Sequence, residues 1–235
     1  MNPDEVPAQN RSPDRQDAKR ELDSLVINIE LTLTSIIQGV ALYFLTDNAR
    51  EPLSNGQYEY WLYVANGLSV IFLFWSRSVA HTLTVIHWPI EFSHNFLYIT
   101  CSLFEAVAFT KVKDPLQWYA FNAVFAGAVW ILFVFDREMI LLHQRGARSA
   151  AEQKLYSMIG ADQDRNIRFL VPMFIAFFLL TALAVLKWPE PFLTHHIHVV
   201  AGGAQFVGLI LYLIYVIRFF GQLSPLILAS KAGPV

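Results

Sequence analysis

The sequence predicts an all-α integral membrane protein with six transmembrane helices and both termini in the cytoplasm. Three observations predict it. Of 235 residues, 55% are hydrophobic and only 15% are charged, against about 25% charged in an ordinary soluble domain. Apolar runs recur from residue 24 onward, each near the roughly 20 residues that cross a bilayer. Lys and Arg are also distributed unevenly between the loops on the two sides. The formal net charge of −2 leaves no positive excess for nucleic acid, so the expected surroundings are the lipid bilayer.

Residues 1–23 are polar and rich in Pro, Asp, Asn, Gln and Arg, which predicts a disordered cytoplasmic tail. They lack the basic start, apolar core and cleavage site of a secretory signal, so the first span is expected to act as its own insertion signal. The six spans are expected at 24–46, 58–80, 88–110, 116–142, 167–187 and 197–220. Turn signals separate them at Asp47-Asn48 through Asn55-Gly56, at His87-Trp88-Pro89, at Lys113-Asp114-Pro115 and at Trp188-Pro189-Glu190-Pro191. Pro89 and Pro115 suit first helical turns, where a missing N–H costs little. Residues 143–166 read as a cytoplasmic linker. Within it Ser149 is placed to cap a short helix ending at Gly160. Leu155, Met158 and Ile159 fall at helical spacing, so this segment is either an interfacial helix or a solvated linker. Residues 221–235 are expected as a C-terminal tail.

The spans are expected to be helices because hydrocarbon offers backbone N–H and C=O groups no partners. Barrel strands would alternate polar and apolar residues, and Phe177-Phe178-Leu179-Leu180 does not. With a cytoplasmic N-terminus, thirteen of the seventeen Lys and Arg residues fall inside, among them Arg77, Arg137, Arg145 and Arg168. Arg50, Lys111, Lys113 and Lys187 fall outside. That bias follows the positive-inside rule only for an even number of spans, and it points to a bacterial inner (plasma) membrane. The lone cysteine, Cys101, excludes an intrachain disulfide.

The third span carries the most informative pattern. At about 100° per residue, His87, Glu91, His94, Tyr98, Cys101, Ser102 and Glu105 fall within an arc of roughly 100°. That stripe cannot face lipid, because an intramembrane ionisable group costs at least about 2.5–3.5 kcal/mol. It is either a polar path or a hydrogen-bonded seam holding helices together. Glu30, Thr34 and Gln38 share one face of the first span and offer it partners, unless Glu30 snorkels to the interface. In the sixth span Gln205 is the polar candidate. Ala204 and Gly208 have the small-x-x-x-small spacing of close helix packing.

A second chemistry is open to some of these residues. His87, Glu91 and His94 share a face and present metal-ligand types, and Glu91-Phe92-Ser93-His94 has the Glu-x-x-His form of di-iron helix bundles. Asp136 and His143 share a face of the fourth span and emerge on the same side, where His81 ends the second span. Zinc, iron or manganese would suit such ligands. The metal-free alternatives are headgroup histidines and a proton-responsive cluster.

Thr194-His195-His196-Ile197-His198 resembles a histidine box of membrane desaturases and, in part, the last-helix opening of hemolysin-III-type hydrolases. The further paired boxes of the first, and the early Ser and His of the second, are missing here. The six-span layout with internal termini resembles a prokaryotic potassium-channel family, but its Arg and Phe-Ser-Asp signature is replaced by Asn28-Ile29-Glu30. Phosphate loops, dinucleotide fingerprints and nucleophile elbows are also missing.

These readings favour a small cation or proton channel or transporter. Its path would be lined by Glu30, Thr34, Gln38, Glu91, His94, Tyr98, Ser102, Glu105 and Gln205. A homo-oligomer is expected, because six helices alone enclose little pore. The alternatives are a membrane metalloenzyme using His87, Glu91, His94, Asp136 and His143, and a non-catalytic subunit or sensor.

Overall fold

The computed structural model describes residues 13–84, 92–147 and 149–231. Every described element is helical: α1 (Pro13–Ser54), α2 (Trp61–Thr84), α3 (Phe92–Phe109), α4 (Pro115–Arg145), α5 (Ala150–Arg165), α6 (Val171–Lys187) and α7 (Ile197–Lys231). Five stretches are long and apolar enough to cross a membrane: Ser24–Ser54, Tyr58–Thr84, Pro115–Arg145, Ala150–Lys187 and Ile197–Ser230. The 18-residue α3 is not among them, because Ser93, His94, Asn95, Ser102 and Glu105 dilute its apolar content.

Local chemistry sets the boundaries. At the start of α4 the Asp114 side chain accepts from the Gln117 N–H, and Pro115 fills the first turn, where the orphan donors of a helix need a partner. Ser149 closes a capping box with Glu152, satisfying two more such donors. Gly56 turns the chain between α1 and α2 with φ at +64°, a conformation glycine adopts without penalty.

Three segments differ from the sequence expectation. Helix α1 begins at Pro13, so residues 13–23 of the expected tail are helical, and α7 carries helix through Lys231. Helix α5 does not stop at Gly160. Mid-helix glycine costs only about 1 kcal/mol, and a Cβ at Gly160 would stand 3.7 Å from Ile140, so the small residue sits at a packed contact. The helix continues through one π turn, Asn166–Leu170, into α6. The combined 38 residues span about 57 Å, nearly twice the roughly 30 Å hydrocarbon thickness.

The α1–α2, α3–α4 and α6–α7 turns lie at one end of the bundle, called here the hairpin end. The opposite end is marked by α5, which packs on the last turns of α4 and α7. There Leu155, Tyr156 and Ile159 bury against Met139, Ile140 and Leu223 in a second, small core. Helix α4 packs on α3 and α6, while α2 packs on α1 and α7. Between α2 and α4, Phe74 meets Phe125, and Tyr63 meets Trp118 edge to face at 5.3 Å.

One glycine marks close approach. A Cβ on Gly67 would stand 2.6 Å from Leu45 Cδ1 and 3.2 Å from Phe109 Cε1, so any side chain there would have to displace the Leu45 tip. On α7, Gly202 and Gly208 each leave room for a Cβ in ordinary contact at 3.6 Å, with Leu62 and Phe174. Ala204, which the sequence pattern paired with Gly208, is exposed.

Candidate functional site

Buried polar side chains gather in three groups. The first is a seam between α1 and α3. Glu30, Thr34 and Gln38 are all buried, at 3%, 4% and 4% exposure, so Glu30 does not snorkel. Asn95 donates to Glu30 Oε1 at 2.7 Å. Thr34 and Ser78 of α2 share a hydroxyl hydrogen bond at 3.3 Å. Gln38 Nε2 lies 3.3 Å from the Tyr98 hydroxyl, 3.4 Å from Ser102 Oγ and 3.1 Å from Glu105 Oε2. An amide has two N–H protons, so these three acceptors compete for them. Glu105 is fully buried. Its Oε1 and the Gln38 Oε1 have no hydrogen-bond partner among the described residues.

At the α5 end of this seam stands a cluster of three. His94 Nδ1 is 2.8 Å from Asp136 Oδ1, and His81 Nε2 is 3.6 Å from the same oxygen. The two imidazoles stack, with centroids 4.8 Å apart. One ligand atom from each residue lies within 4.8 Å of the others. His81 Nε2 is buried with no hydrogen-bond partner among the described residues. A cavity of about 30 Å³ adjoins the cluster, lined by His81, His94 and Asp136 together with Ser78, Tyr98 and Arg77. It therefore joins the cluster to the seam. Its size suits a water molecule, given polar partners such as these.

The second group lies between α2, α5 and α7. Arg77 makes a 2.6 Å ion pair with Asp162 and donates to Gln163 Oε1 at 3.2 Å. Its guanidinium also lies over the Phe133 ring. Tyr215 donates to Asp162 Oδ1, Asn166 donates to Asp162 Oδ2, and Tyr212 donates to Asn166 Oδ1. Gln163 Nε2 reaches the Phe133 carbonyl at 2.9 Å. Asn166 opens the π turn. Such turns often accompany functional sites, but here every side chain of the group is partnered.

The third group occupies the hairpin end. The Tyr63 hydroxyl is 2.9 Å from His198 Nδ1, and Tyr119 donates to the His198 carbonyl. Asn66 donates to the Gly202 carbonyl. Trp118 Nε1 donates to Gln205 Oε1 at 3.1 Å. Gln205 is thus paired with α4 at the hairpin end, apart from the α1–α3 seam with which the sequence grouped it. His195 and His196 are exposed, and His196 stands 4.0 Å from Glu59.

Of the expected metal ligands, His87 and Glu91 lie outside the described residues. His143 Nδ1 is 2.8 Å from the Met139 carbonyl, within its own helix, and His143 is not one of the three clustered groups. His81 takes a place beside His94 and Asp136. The sequence had marked it only as the end of a span. Arg77, Asp162 and Asn166 were not singled out, because an arginine near a span end reads as a flanking charge and a polar loop reads as solvated. Their signal was Arg77 itself, standing in the apolar run Leu73-Phe74-Trp75-Ser76-Arg77-Ser78-Val79. A cavity of about 70 Å³ between α2, α4, α6 and α7 is almost wholly apolar, with Phe74, Phe125, Phe174 and Phe178 on its wall.

The chain matches no protein-family model, no curated protein and no solved structure.

Proposed function

We propose that the chain is a six-span inner-membrane protein, with both termini cytoplasmic, that moves protons across the bilayer along the α1–α3 seam. The carrying observation is Glu105. It is fully buried, and among the described residues one carboxyl oxygen meets only Gln38, the other has no partner, and no Lys or Arg pairs with it. A lone carboxylate inside a membrane is expensive and is a functional group by default. Its charge calls for a proton or a cation.

The space beside the seam favours the proton. The adjoining cavity of about 30 Å³ takes a water but not an alkali cation with its hydration shell. From that cavity the polar sequence runs through Tyr98 and Ser78, then Thr34, Gln38 and Ser102, to Glu105. Gln38 suits both states of the acid. Its Nε2 donates to a carboxylate, and after an amide flip its Oε1 accepts from a carboxylic acid. Beyond Glu105, Phe109 continues the same face at i+4 and Val112 follows in the α3–α4 turn, and both are fully buried. That closes the hairpin end, as a gated transporter requires and an open channel does not.

The orientation rests on the charge bias of the sequence, with thirteen of seventeen basic residues expected on the cytoplasmic side. Helix α3 crosses as the sixth span because α1, α2 and α4 enclose its polar face. The seam is enclosed within one chain, which removes the geometric reason for expecting an oligomer.

The test is proton flux in liposomes holding the purified protein and an internal pH dye, with a potassium diffusion potential as driving force. Wild-type protein is expected to acidify the lumen faster than empty liposomes, with no potassium or sodium flux of its own. Glu105→Gln is expected to fall to the empty-liposome rate. A silent wild type, or a Glu105→Gln variant as fast as wild type, rejects the proposal.

A further inference from the structure

We infer that His81, His94 and Asp136 bind a divalent transition-metal ion, with solvent as a fourth ligand. The ligands come from three different helices, α2, α3 and α4, so the backbone holds them in place without a loop. Two imidazole nitrogens and a carboxylate oxygen are the ligand set of open zinc sites, with metal bonds near 2.0–2.2 Å. In a tetrahedral shell of that size neighbouring ligand atoms stand about 3.4 Å apart. The His81–Asp136 separation of 3.6 Å already fits. The His94–Asp136 contact of 2.8 Å is a hydrogen bond that gives way by rotation of the carboxylate. The three ligand atoms lie within 4.8 Å of one another, and the two stacked imidazoles reach one ion after a side-chain rotation that brings their nitrogens to about 3.4 Å.

Two observations point to a ligand beyond the protein. His81 Nε2 is buried and lacks a hydrogen-bond partner among the described residues, although it faces a carboxylate. At 3.6 Å from the Asp136 oxygen the nitrogen is beyond hydrogen-bond distance, so in either tautomer its bonding capacity is unused. The second is the cavity of about 30 Å³, whose wall includes all three residues. It supplies room for a bound water where a three-ligand site leaves a position open. The positive charge of Arg77, on the same wall, is held by Asp162 at 2.6 Å. It is therefore offset at its own partner and does not exclude a cation. Mixed imidazole and carboxylate ligation suits zinc, cobalt, iron or manganese, and does not suit calcium or magnesium.

The inference stands independently of proton movement, because it is read from metal content and not from flux. The full chain is purified in detergent without a histidine tag, stripped with chelator, and titrated with Zn²⁺ against a chromogenic chelator and with Co²⁺ by visible absorption. One ion per chain is expected, with the intense visible bands of four-coordinate cobalt. His81→Ala and His94→Ala are expected to lose both signals, and His143→Ala to keep them. Glu105→Gln is expected to bind metal as wild type does, whatever its flux. Absence of a stoichiometric ion in monodisperse wild-type protein overturns the inference. So does unchanged binding in a His81→Ala, His94→Ala double variant. If the single variants do not fold, the wild-type titration alone decides.

Discussion

Two buried polar networks cross the same bundle, and they are built in opposite ways. Around Arg77 and Asp162 every side chain has a partner and the central charges cancel. Along the α1–α3 seam and the cluster at its end, three buried polar atoms have none among the described residues: Gln38 Oε1, Glu105 Oε1 and His81 Nε2. A satisfied network rigidifies a core. An unsatisfied one forfeits about 1–3 kcal/mol per group and calls for an explanation. At the hairpin end Asn66 Oδ1 and Gln205 Nε2 also lack partners among the described residues, but only the seam and its end cluster place such atoms on ionisable side chains. The contrast separates a brace, which ties α2 to the π turn and α7, from a seam that waits for a proton or an ion.

Substitutions can break that contrast, and the largest effect belongs to the brace. Asp162→Ala leaves Arg77 buried and unpaired, which is expected to cost about 3–5 kcal/mol. Denaturant unfolding in detergent would show it, and a loss below about 1 kcal/mol would place Arg77 in a wetter site than its packing indicates. Tyr215→Phe removes one hydrogen bond to the same carboxylate, for an expected loss of about 1.5–3 kcal/mol. If it proves neutral, the tie to α7 rests on the Tyr212–Asn166 bond alone. Ser149→Ala removes the cap of α5, worth about 1 kcal/mol, and should speed amide exchange in the first turn of α5 alone. Exchange rising equally across α4 and α7 would mean that α5 is coupled to the whole bundle. The smallest stability change is expected for Glu105→Gln, because the variant keeps the shape and the unpaired charge it removes is offset by the buried N–H donors it adds.

The sequence disclosed faces more readily than neighbours. Helical spacing alone gathered His94, Tyr98, Cys101, Ser102 and Glu105 on one side of α3 and Glu30, Thr34 and Gln38 on one side of α1. It could not say that Gln38 reaches three residues of that stripe, nor that Asn95, outside the arc, meets Glu30. Those pairings depend on the register between two helices, which a single helix does not encode. His81 and Arg77 were read as residues at the end of a span because the pattern of α2 ends there. Arg77 is covered by Asp162 and Gln163 of α5, whereas His81 is enclosed by His94 of α3 and Asp136 of α4. Asp162 and Asn166 lie in a stretch whose polarity suggests solvent, yet both are buried, Asp162 in the last turn of α5 and Asn166 at the start of the π turn. The long helix from Ala150 through Lys187 was hidden for the same reason, since its first half pairs with protein and not with lipid.

The most direct test reads stability and proton flux on the same preparation of Glu105→Gln. The account predicts unfolding indistinguishable from wild type together with flux at the empty-liposome level. A destabilisation as large as that of Asp162→Ala would make Glu105 part of a brace. Wild-type flux in a stable variant would remove the seam from the path altogether.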